Sequence, residues 1–187
     1  MLRRAFIAFA CLVSLAGCGL GERVHTPHDP ELDALFAQLK AAPDADHAKP
    51  IEERIWAHWS RSGSPTVDIL LERAAAAETA GDKQLAAEFL TQASDLAPGF
   101  AEPWNRRAVL AYDAHDYSGA IAAIEETLKR EPRHFGALTG LALIYEDLGR
   151  KRQALMAYRA ALEVHPFFAE ALRGAARLAP QVEGSDA

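Results

Sequence analysis

The chain has 187 residues, 50% of them hydrophobic, and a formal net charge of −6. That is enough apolar material for one domain with a core of its own. The acidic balance, with no basic stripe interleaved with aromatics, excludes a nucleic-acid-binding module.

Met1 to Gly17 reads as a targeting segment, not a fold element. Arg3 and Arg4 supply a positive start, and residues 5–15 form an apolar run too short to cross a bilayer as a helix. The run ends in Leu15-Ala16-Gly17-Cys18, which resembles a bacterial lipobox. The resemblance implies a diacylglyceryl group on the Cys18 thiol and cleavage just before it. Gly19 follows where an aspartate would retain such a protein in the inner membrane, so the expected location is the cell envelope, lipid-anchored at the outer membrane and facing the periplasm. An ordinary secretory signal is the alternative, and would leave a soluble periplasmic protein. Cys11 is lost with the signal and lipidation consumes Cys18, so no intramolecular disulfide remains. Residues 18–29 carry glycine, proline and charge without an apolar period, the composition of a tether.

Residues 30–66 read as a helical hairpin. Asp29-Pro30 offers a capping carboxylate followed by proline at the first helical position. Leu32, Leu35, Phe36 and Leu39 follow at helical spacing, and Pro43 ends the helix. After a polar connection, Pro50 is expected to start a second helix in which Ile51, Ile55 and Trp59 share a face, with Trp56 beside them. Ser62 to Pro65 forms a turn, with Ser64 capping the next helix. The hairpin is expected to be a degenerate N-terminal cap. Its two tryptophans either plug the open end of the array that follows or form a partner-binding hot spot.

From Val67 to Phe168 one 34-residue pattern is written three times, over residues 67–100, 101–134 and 135–168. Ala74, Ala108 and Ala142 recur in register, as do Ala86, Ala120 and Ala154, and Pro98, Pro132 and Pro166 close the copies. Such a period marks a helical pair that cannot bury its apolar face alone and stacks on its neighbours. The small residues let paired helices approach, and the prolines stop each second helix. Gly81 and Gly149 suit the positive φ of the turn within a pair; His115 stands there in the second copy.

Ala101-Glu102-Pro103-Trp104-Asn105 and Asp116-Tyr117-Ser118-Gly119-Ala120-Ile121 resemble the tetratricopeptide repeat (TPR), and the third copy matches through Leu141, Ala142, Tyr145, Gly149, Ala154, Tyr158, Ala161 and Pro166. Arg73 and Arg107 depart from it by replacing a usual leucine. The resemblance implies an all-α, right-handed superhelical solenoid of antiparallel helix pairs, with three repeats, a C-terminal capping helix over residues 169–179 and a disordered tail over 180–187.

In that family the first helices of the pairs line a concave groove. Carried over by position, the groove residues are Leu71 and Glu72; Asn105, Arg106, Val109, Tyr112 and Asp113; Thr139, Leu143 and Glu146; and Arg173 and Arg177 from the last helix. Leu71, Val109, Tyr112 and Leu143 make an apolar track with acidic flanks, suited to a protein, peptide or partner helix with apolar anchors and some basic character. The lysine–asparagine clamp by which some members grip a terminal carboxylate is missing, since its positions hold Leu71, Ala75, Arg106, Gly136 and Gly140. No HExxH, CxxC, GxSxG or phosphate-cradling glycine loop occurs. The expectation is a non-enzymatic protein-interaction scaffold with no cofactor, metal, nucleic acid or small-molecule substrate, held to the membrane through Cys18. The alternatives are a soluble periplasmic adaptor and a cell-wall accessory that uses Trp56 and Trp59.

Overall fold

A computed structural model describes residues 29–184, which form nine helices and no strand. They are α1 (Pro30–Ala41), α2 (Ala45–Trp59), α3 (Pro65–Thr79), α4 (Lys83–Leu96), α5 (Glu102–Asp113), α6 (Tyr117–Arg130), α7 (Phe135–Asp147), α8 (Lys151–Val164) and α9 (Ala169–Glu183). The three copies are the pairs α3–α4, α5–α6 and α7–α8, and α9 packs on α8.

The turn inside each pair is built alike. Gly81, His115 and Gly149 all have positive φ, at 78°, 58° and 70°. His115 therefore takes the left-handed conformation that glycine adopts without steric cost. Asp82 and Asp116 then cap α4 and α6 by accepting from the N–H groups of Leu85 and Gly119. Arg150, the equivalent residue before α8, supplies no side-chain cap. Within the copies the recurring alanines are buried at the helix contacts, and Leu90, Ile124 and Tyr158 fill the matching large position.

The two arginines that replace leucine lie over aromatic rings, Arg73 over Phe89 and Arg107 over Trp104, where Arg130 joins it. The Arg107 and Arg130 guanidiniums each lie 4.7 Å from the Trp104 ring. The indole is thus covered by two cations instead of an aliphatic side chain.

The leading hairpin is α1 and α2, and two of its details differ from the sequence reading. Asp44 caps α2 by accepting from the His47 N–H, so the helix starts at Ala45 and carries Pro50 inside it. Pro50 and Asp46 are both exposed, so water reaches the carbonyl that Pro50 cannot serve. Ser64 makes no side-chain cap; Asp68 instead reaches back to accept from the Ser62 N–H and hydroxyl. At the other end α9 passes through Pro180 to Glu183, so residues 180–183 are helix and not tail.

The larger correction concerns where the hairpin goes. It does not plug the open end before Val67. Its apolar face, from Leu32, Leu35, Phe36, Leu39, Ile55 and Trp59, joins one core with Phe135, Leu155, Tyr158 and Leu178 of the third copy and α9. The first copy keeps a separate core of α3 and α4 side chains. Contacts along α2 show it strapped across the junctions between copies, in reverse of chain order. Glu52 meets His165 just before α9, and Trp56 and Trp59 meet His134 and Phe135 at the start of α7. Trp59 stacks on His134 with centroids 4.1 Å apart, and Arg133 bonds Asp33 of α1 while covering the Phe36 ring. Gly136 leaves the space Trp56 needs: a Cβ there would lie 2.6 Å from the indole. The tryptophans are structural wedges in this arrangement.

Candidate functional site

Each expected groove residue meets a specific environment on α3, α5, α7 or α9. Two are withdrawn into the core. Leu71 is 6% exposed and belongs to the core of the first copy, while Thr139 is 1% exposed. Position in the repeat put them on the groove side, but packing takes both side chains.

Others hold the repeats together. Arg106 donates to the Leu71 carbonyl at 2.8 Å and pairs with Glu78 at 2.9 Å, tying α5 to α3. Asn105 donates to Glu102 within the first turn of α5. Asp113 faces Lys83 across an exposed 3.6 Å gap. Glu146 accepts from Tyr158 of α8 and from Arg177 of α9, so it joins three helices. Burial pushes the Glu146 carboxyl up, but those two bonds outweigh it and hold the group below its ordinary value. Arg177 therefore serves the fold. Much of the acidic flank is thus neutralised from within.

What stays open is narrower than the sequence suggests. Val109 is 55% exposed on α5. Tyr112 lies one turn further along, half-buried, and Leu143 of α7 is half-buried. Glu72 and Arg173 are exposed. The Tyr112 phenol is pushed up to about 12, first by burial and then by the Asp147 carboxylate beside it. Tyr117 also donates to Asp147, and its ring centroid is 6.1 Å from that of Tyr112. The carboxylate of Asp147 faces phenols and no cation among the described residues, and sequence position alone did not single it out. Together these groups give an apolar ledge with one carboxylate at its end.

A second concavity, a cleft of about 870 Å3, lies between the strap and the junction over residues 97–102. Its charges are largely spent on Asp29–His58 and Asp33–Arg133 contacts. No group of three metal-ligating side chains stands together among the described residues. No described helix is long and apolar enough to cross a membrane. Cys18, the signal segment and residues 18–28 of the tether lie outside the described residues.

A tetratricopeptide repeat model matches residues 105–151. A TPR repeat-containing protein of Rhizobium etli is 40% identical over 135 residues, which is 72% of this chain and 66% of that protein. Among solved structures, the Sgt2 TPR domain from Aspergillus fumigatus superposes with a TM-score of 0.59 at 22% identity, over 66% of this chain and 83% of that one. The first TPR of Spaghetti (RPAP3), bound to an HSP90 peptide, gives 0.59 at 17% identity, over 64% of this chain and 95% of that one. At those identities the two structures show a shared fold, an all-α solenoid of antiparallel helix pairs.

Proposed function

We propose that this tetratricopeptide-repeat protein is a non-enzymatic scaffold that holds a peptide or partner helix on the ledge of Val109, Tyr112 and Leu143. The observation that carries this reading is the large exposure of Val109 beside Tyr112, on the helix row where most of the other expected groove residues are spent on the fold. A few clustered residues, tyrosine prominent among them, supply most of the energy of an interface. A solved neighbour of the same fold holds a peptide, which supports a peptide as the class of ligand. The clamp positions here, Leu71, Ala75, Arg106, Gly136 and Gly140, offer a terminal carboxylate one cation, which Glu78 already holds. A ligand anchored by apolar side chains, with a basic residue toward Asp147, fits better.

The lipobox-like Leu15-Ala16-Gly17-Cys18 supports a position for this scaffold at a bacterial cell envelope, with a diacylglyceryl anchor on Cys18. Two measurements test the two halves of the reading. A photo-crosslinker at Val109 should capture a discrete partner in intact envelopes. The same group at Met156, exposed on α8, should not, and Tyr112→Ala with Leu143→Ala should abolish the adduct. Equal labelling from both positions would refute the ledge. The mature chain should carry acyl mass at Cys18 and partition into detergent; an unmodified Cys18 would leave a soluble adaptor.

A further inference from the structure

In this stack the third and tenth residues of a copy, counted from its start at residue 67, 101 or 135 and from 169 for α9, lie on its first helix and turn onto the second helix of the copy before it. Ala137 and Ile144 of α7 are buried there, and so are Ala171 and Leu178 of α9. The same positions on α3 hold Ile69, 49% exposed, and Ala76, also exposed. They are open because the hairpin that precedes α3 is strapped across the later junctions instead. Leu96, at the end of α4, is open as well. The surface of α3 is therefore the chain's own inter-repeat interface, left without a covering helix among the described residues.

We infer that this face seats a second copy of the chain, α3 against α3, antiparallel about a two-fold axis between Glu72 and Arg73. Those two residues lie between Ile69 and Ala76 on the same face, are exposed, and form no ion pair among the described residues. The Arg73 guanidinium lies 5.9 Å from its own Phe89 ring. An antiparallel partner brings Glu72 to the partner's Arg73 and Ile69 to the partner's Ala76, and the symmetry repeats both contacts. A parallel partner would set like charges against each other. The small side chains of Ala76 and Ala80 admit helix axes at about 8 Å, the close end of ordinary helix packing. Charge and shape are thus self-complementary in one register.

Sedimentation equilibrium of the full chain in density-matched detergent tests this, with circular dichroism checking that each variant is folded. The wild type should show a monomer–dimer equilibrium, and Ile69→Asp should weaken it by at least about tenfold. Glu72→Lys and Arg73→Glu should each weaken it by placing like charges across the axis, and the double exchange should restore it. A wild type monomeric at every concentration overturns the proposal. So does a dimer indifferent to Ile69→Asp, or a double variant no better than the singles.

Discussion

The first and third copies are written in the same pattern but held differently. In the third, α7 and α8 have neighbours on three sides: the preceding pair, α9, and the strap of α1 and α2 with its stacked tryptophans. In the first, α3 and α4 have the next pair on one side and no element among the described residues on the other. A repeat stack distributes stability by nearest neighbours, so equal sequence does not give equal stability along it. Here an element preceding the array reinforces its far half and leaves the near end bare.

The largest way to break this asymmetry is Trp59→Ala. It removes a buried ring that touches Phe36, Trp56, His134 and Phe135. A loss of about 3–5 kcal/mol is expected, read as a fall in the urea midpoint. Gly174→Ala attacks the same half from the other side. A Cβ there runs into the Tyr158 ring, so overpacking should cost about 1–3 kcal/mol and loosen α9 first.

Little of this asymmetry could be read locally. The three pairs were legible because each copy buries the same small positions, and a 34-residue period keeps them in phase. The destination of α2 was not, because Glu52 and His165 lie 113 residues apart and no periodicity encodes that contact. The trace it leaves in the sequence is the pair of histidines at junctions. His134 and His165 are wholly buried, each accepting a backbone N–H through Nδ1, at Ala137 and Phe167 respectively. Pro50 misled for a different reason: the cap that starts α2 lies six residues before it, at Asp44. Of the residues that family position put on the groove side, Val109 is exposed and Tyr112 half-buried. Leu71 and Thr139 share the helix face but are drawn into the core.

Smaller effects sharpen the comparison. Glu146→Gln weakens the bonds from Arg177 and Tyr158 and should cost about 1–2 kcal/mol at neutral pH. The folded carboxyl lies below its ordinary value of 4.5. Its contribution is therefore complete above that value and is lost as pH falls through the lower, folded one. The stability gap between wild type and variant should close in acid; a gap that persists unchanged would show that the charge of Glu146 is not what matters. The smallest effect should be a gain. His115→Gly relieves a left-handed residue at φ 58° and should stabilise the second copy by about 1 kcal/mol, measured as a raised melting temperature.

Native-state amide hydrogen exchange across the full chain, wild type against Trp59→Ala, tests the asymmetry most directly. The account predicts that α7, α8 and α9 are the best protected helices in the wild type, and that the substitution costs them protection while α3 and α4 exchange as before. Equal protection of the first and third copies, or a uniform loss along the whole array, would contradict it.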